Sequence, residues 1–144
     1  MKQISPSQTD AEPASFKPET VGIILGTERF TSCVRFYAEI LALPVWFTKP
    51  GLVCLHFGDG YLMIEHGGHA CDGVKPSNAN PTLLRFNVAD VHKSAAALEA
   101  HGVHVDICKY EWGLVGSFHD PDGNKCELKD AGDPFFAKPN SPFA

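Results

Sequence analysis

Two glutamates sit at corresponding ends of strand-like hairpin segments, Glu65 in LVCLHFGDGYLMIEH and Glu127 in GSFHDPDGNKCELKD. Alternation puts Cys54, His56, Tyr61, Met63 and Glu65 on one face of the first hairpin, and Val53, Leu55, Phe57, Leu62 and Ile64 on the other. In the second, Ser117, His119, Lys125 and Glu127 share a face, opposite Phe118, Cys126 and Leu128. Arg85 and Asn87, with Leu83, alternate likewise against Leu84, Phe86 and Val88. Carboxylates, imidazoles, a guanidinium and a phenol set among Met and Leu make the mixture of a pocket lining. A polar sheet face turned to solvent gives the same alternation.

Other constellations carry both a chemical and a plain reading. His66-Gly-Gly-His69-Ala-Cys71 holds three metal-ligand candidates in six residues, or is a glycine-rich loop with incidental histidines. Cys54 is a nucleophile candidate opposite Glu65, or a small apolar packing group. Cys33, Cys108 and Cys126 read as packing groups, and His92, His101 and His104 as surface or strand-end residues. Trp46 and Trp112 enter the hairpins, where an indole stacks a planar ligand or seals an interface. Gly58-Asp59-Gly60 is a turn and no phosphate cradle, since no helix follows it.

These residues depend on elements that recur. A strand over Val21–Thr27, a helix over Arg29–Leu43 and a hairpin over Leu52–Glu65 are followed by a strand over Thr82–Val88, a helix over Val91–His101, a strand over Val103–Ile107 and a hairpin over Gly113–Leu128. Leu25 matches Phe86, Thr27 matches Val88 and Phe30 matches Val91, each 61 residues on. Such a repeat means two like modules stacked side by side, each with its own half-core. Phe30, Val34, Tyr37 and Leu41 form the first helix's apolar stripe, with Thr27 as its cap. Val91, Ala95 and Leu98 form the second, with Asp90 as cap and Gly102 as stop. Both hairpins turn on Asp-Gly, and a turn at Asp59–Gly60 pairs Phe57 with Leu62, His56 with Met63, Leu55 with Ile64 and Cys54 with Glu65.

The expected organisation is a tail over 1–19, one domain over 20–130 (modules 20–66 and 82–130, linker 67–81) and a tail over 131–144, whose Phe135 and Phe136 are candidates for docking. The 144 residues are 44% hydrophobic and 20% charged, which excludes a disordered chain. Twelve Lys and Arg against seventeen Asp and Glu leave no basic stripe, so no nucleic-acid partner is expected. No apolar run is long enough to cross a membrane. Five scattered cysteines without a C-x-x-C pair signal no disulfide framework or zinc knuckle. Met1–Lys2 runs into polar sequence unlike a signal peptide, so the expected compartment is the cytoplasm.

The segments FYAEILALPV, GLVCLHFGDGYLMIEHGG, LRFNVADVHKSAAALEAHGV and SFHDPDGNKCELKD, in this order, resemble the vicinal oxygen chelate superfamily of glyoxalase I, bleomycin- and fosfomycin-resistance proteins and extradiol dioxygenases. The resemblance covers about Val21 to Asp130 and is most specific in DPDGN-x-x-EL. It implies an α+β fold of two βαβββ modules forming a half-open mixed-sheet cup, usually completed in a homodimer. In metal-dependent members a divalent ion takes side chains from the first and last strand of each module. By the resemblance these places fall on Glu65 and Glu127, which match, and on Gly22 (or Val21, one residue earlier in register) and Leu83, which carry no donor.

Three functions follow from the resemblance. The leading one is a small-molecule binding protein of the resistance type with no cofactor, its ligand lined by His56, Tyr61, Met63, Glu65, Arg85, Asn87, Trp112, Ser117, His119 and Glu127. The net charge of −5 would favour a cationic ligand. The second is a lyase or dioxygenase whose Zn, Ni, Mn or Fe is held by Glu65 and Glu127 with His56 or His119. The third is a metal-free enzyme with Glu65 or Glu127 as base: facing carboxylates repel, which raises one pKa, unless Arg85 pairs with either.

Overall fold

The computed structural model describes residues 12–131. The first module comprises β1 (Gly22–Thr27), α1 (Phe30–Arg35) running into a π turn at Phe36–Ile40, β2 (Val45–Lys49), β3 (Leu52–Phe57) and β4 (Gly60–His66). The second comprises β5 (Leu83–Val88), α2 (Val91–Glu99), β6 (Asp106–Tyr110), β7 (Gly113–His119) and β8 (Lys125–Asp130). Each forms a four-stranded sheet, ordered β1-β4-β3-β2 and β5-β8-β7-β6. The first strand runs parallel to the last, and the remaining pairs are antiparallel. This is the doubled βαβββ module.

The faces sort as the alternation requires. Leu55, Leu62, Ile64, Leu84, Phe118, Cys126 and Leu128 are buried with α1 and α2 in one hydrophobic cluster. That cluster is a single core and not two half-cores. Phe36 packs on Phe118, Phe118 on Phe86 and Phe86 on Phe57, so an aromatic chain crosses from one module to the other.

Several local expectations need correction. The first hairpin pairs Phe57 with Gly60, His56 with Tyr61, Leu55 with Leu62, Cys54 with Met63 and Leu52 with Glu65. Its loop is Gly58–Asp59, because Gly58 adopts φ +58° and Asp59 does not have positive φ. Glycine leads the loop, as in a type II′ turn. The slip is two residues, so every side chain keeps its face. The second connection is longer, since His119 pairs with Lys125 around residues 120–124. The second strand of the second module, β6, begins later than expected, at Asp106, and α2 ends at Glu99.

The first helix is capped from far along the chain. Thr27 Oγ1 donates to the Glu65 carbonyl and does not cap. The buried Asp122 carboxylate instead accepts from the backbone N–H groups of Glu28 (2.7 Å) and Arg29 (2.9 Å). An acidic group at the positive end of the helix, with orphan donors in reach, satisfies both charge and hydrogen bonding. Asp90 caps α2 as expected, accepting from Lys93 N–H. Asp120 completes the hub, accepting from Tyr37 Oη (2.7 Å), from Asp122 and Asn124 N–H, and from Asn124 Nδ2. The 67–81 connection is stitched to the same turn: Cys71 N–H donates to the Asp122 carbonyl, and Lys75 Nζ and Asn80 Nδ2 both reach Asn124 Oδ1. Phe135 and Phe136 lie outside the described residues.

Candidate functional site

Away from the core each sheet presents its polar face. On the second, β5 and β8 run in parallel register with Leu83 beside Lys125, Arg85 beside Glu127 and Asn87 beside Lys129. Ser117 stands opposite Glu127 on β7. Glu127 is buried, and its Oε1 accepts from Arg85 through both Nε and Nη2. The expected repulsion between two carboxylates is therefore replaced here by an ion pair with the neighbouring strand. The Arg85 side chain keeps 34% of its surface exposed, whereas that of Glu127 keeps 9%. The guanidinium is the accessible member of the pair.

Further along the same face Tyr110 and Trp112 stack nearly parallel, with centroids 4.8 Å apart, and Lys129 Nζ lies 5.5 Å from the Trp112 ring. Lys129 is fully buried. The adjacent Cys108 thiol, with a smaller contribution from Glu127, pushes the Tyr110 phenol above its ordinary range. Neither Lys129 nor Tyr110 was expected at the site. Strict alternation after Glu127 would have indicated Lys129; Tyr110 depended on the true start of β6, which the sequence pattern misplaced.

On the first sheet, a bulge between Val45 and Phe47 turns Trp46 onto the ring of His56 (centroids 5.5 Å apart) and against Tyr61 (5.9 Å). Tyr61 in turn covers Gly22, its parallel neighbour on β1, where an added Cβ would run into the Tyr61 ring. The space beside the first strand is filled by a phenol. Met63 follows, partly buried, and Glu65 lies beside Gly26 and opposite Leu52.

The registers bear on the candidate metal ligands. Glu127 stands two residues beyond the partner of Leu83, which is Lys125. The partner of Gly22 is Tyr61, and two residues beyond it comes Met63; Glu65 is two further still. Under the repeat that matches Gly22 with Leu83, Met63 thus corresponds to Glu127, and Glu65 to Lys129. His56 is stacked on Trp46, while His119 Nδ1 donates to the Asp120 carbonyl at the end of β7. Among the described residues, no three His, Cys, Asp or Glu side chains gather into a group able to hold a metal ion. A divalent-metal site needs several converging oxygen or nitrogen donors. Gly22 and Leu83 add no such donor, and Glu127 is already paired with Arg85.

The other constellations resolve into structure. His66 stacks on Phe30, and the Cys71 sulfur lies near the Gly73 carbonyl. Cys54 is buried opposite Met63, not Glu65, and burial pushes its thiol up, away from the reactive thiolate. Cys126 is pushed up by burial to about 12, and burial likewise raises Cys33. Two clefts reach the polar face of the second sheet. One, of about 700 Å³, takes in Ser117, His119 and Lys125; the other, of about 600 Å³, takes in Arg85 and Asn87.

No protein-family model matches the chain, and no curated protein matches it significantly. Solved structures do match over most of its length. A lactoylglutathione lyase from Agrobacterium tumefaciens aligns with a TM-score of 0.62 at 18% identity, covering 80% of this chain and 96% of that one. A glyoxalase/bleomycin resistance protein/dioxygenase from Nocardioides aligns at 0.61 and 15% identity, covering 88% and 90%. The antibiotic binding protein TnmS3 from Streptomyces sp. CB03234 aligns at 0.60 and 23% identity, covering 79% and 96%. With its two βαβββ modules in the same cup arrangement, this chain has the fold of the vicinal oxygen chelate superfamily.

Proposed function

We propose that this chain binds a small organic molecule on the polar faces of its sheets, without a metal ion, as a protein of the glyoxalase/bleomycin-resistance type. The observation that carries this reading is the Arg85–Glu127 ion pair, formed where metal-dependent members would offer the carboxylate. Gly22 and Leu83 supply no donors, and Tyr61 fills the room beside Gly22. The antibiotic-binding neighbour of the same fold supports binding over catalysis.

A second copy completes the cup in this proposal. Ile24, Trp46, Leu83 and Trp112 are between 42% and 58% exposed on or beside those faces. Exposed apolar groups so grouped mark a surface that another molecule covers. The screen that tests the proposal measures thermal stabilisation of chelator-treated protein by a library of organic molecules, then maps each hit by amide chemical-shift changes. Hits that perturb Tyr61, Met63, Arg85 and Asn87 support it. A library that stabilises nothing, or hits that perturb only the outer faces of α1 and α2, would overturn it. Sedimentation equilibrium tests the second copy: a monomer at all accessible concentrations rejects that part.

A further inference from the structure

The cleft of about 600 Å³ at the free edge of β5 has walls of one kind and an end of another. Leu41, Leu43 and Phe57 come from the first module, and Phe86, Leu98 and Leu128 from the second. Arg85 and Asn87 stand on the same strand edge. Clefts of this size accommodate a small organic molecule. Because both modules contribute wall, the cleft exists only while the inter-module packing holds.

Arg85 is held in a particular way. Its Nε and Nη2 converge on a single oxygen of Glu127, which leaves Nη1 without a protein partner among the described residues. The Asn87 side chain likewise makes no hydrogen bond among them. Glu127 thus fixes the guanidinium while leaving a hydrogen-bonding edge unspent. A guanidinium selects planar oxyanions, and such charge-assisted bonds are about twice as strong as neutral ones.

We infer that the ligand of this protein is an amphipathic organic anion, its apolar body lying between the modules and its carboxylate bound by Arg85 with help from Asn87. The inference rests on the small-molecule reading above and seats the ligand across the β5 edge, its body against the core-side residues Phe86, Leu98 and Leu128 and only its carboxylate on the polar face. It also reverses the expectation from net charge: the chain is acidic as a whole, but among the described residues the one charged side chain lining this cleft is Arg85. In this arrangement the guanidinium supplies the fixed positive charge that receives a ligand oxygen.

The test uses three probes with one apolar body: 2-naphthoate, 2-naphthamide and 2-naphthylmethylammonium, titrated into the full chain by calorimetry. The expected order is naphthoate at least about tenfold tighter than the amide, with the ammonium weakest. Arg85→Gln leaves Glu127 uncompensated, so the paired variant Arg85→Gln/Glu127→Gln, checked by circular dichroism, is the main comparison. It should abolish the preference for naphthoate, so that acid and amide bind within about threefold of each other. Three results would overturn the inference: equal binding of all three probes, a naphthoate preference that survives the paired variant, or no binding by any probe. In the first two the small-molecule reading stands. If the third coincides with a silent library screen, both fall.

Discussion

Replacing Asp122 by Ala removes the acceptor that caps a helix from 93 residues further along the chain. Its two oxygens serve Glu28 N–H at 2.7 Å and Arg29 N–H at 2.9 Å, and Oδ1 also lies 3.5 Å from Cys33 Sγ. Loss of an N-cap costs about 1–2 kcal/mol. Each donor left without a partner adds up to about 1–3 kcal/mol where water cannot reach it. Glu28 and Arg29 are exposed residues, so water replaces part of the loss, and a total of about 2–4 kcal/mol is expected. Asp90→Ala is the control, because it removes a cap of the same chemistry from within one module. It should cost about 1 kcal/mol. Urea unfolding followed by circular dichroism reads both. For a slope of about 1–3 kcal/mol per molar, Asp122→Ala should lower the midpoint by about 1–2 M, and Asp90→Ala by less than half as much. Equal midpoints for the two variants would refute the claim that Asp122 ties the modules together as well as capping a helix.

Two further outcomes concern the polar face and the core. Gly22→Ala should displace the Tyr61 ring and cost about 1–3 kcal/mol, whereas in a Tyr61→Ala background it should cost under about 0.5 kcal/mol. The same cost in both backgrounds, measured by urea unfolding, would show that the ring does not occupy that space. Alkaline stability tests the buried thiols. Burial keeps Cys126 protonated to about pH 12, whereas an unfolded-chain thiol ionises near 9. Between those values the unfolded state holds fewer protons, so the stabilisation present below pH 9 declines as pH rises toward 12. Cys126→Ala should flatten that decline relative to the parent, as followed by urea midpoints at pH 8, 9 and 10; an unchanged slope rejects the assignment.

What could be read from residue order alone was whatever local chemistry decides. Asp90 is adjacent to the helix it caps, and Val91, Ala95 and Leu98 show their stripe by spacing, so α2 was legible. The cap of α1 was not, because Asp122 reaches it only after the modules pack. The faces of the first hairpin survived a misjudged turn, since Gly58 shifted the pairing by two residues and alternation has a period of two. Register between distant strands carried the difference that mattered for the site. It set Met63, and not Glu65, at the place corresponding to Glu127, and it laid Arg85 beside Glu127. Both facts come from β1–β4 and β5–β8 pairing across about forty residues, which no local pattern encodes.

Metal independence can be measured on the protein and its ligand together. A library hit is titrated by calorimetry into protein dialysed against EDTA, and then into the same protein supplied with Zn, Ni, Mn or Fe. With Glu127 held by Arg85 and no donors at Gly22 or Leu83, the affinity should agree within about twofold in every case. Binding or turnover that appears only after a metal is added would mean that the carboxylates abandon Arg85 for an ion, and the metal-free reading of this fold would be wrong.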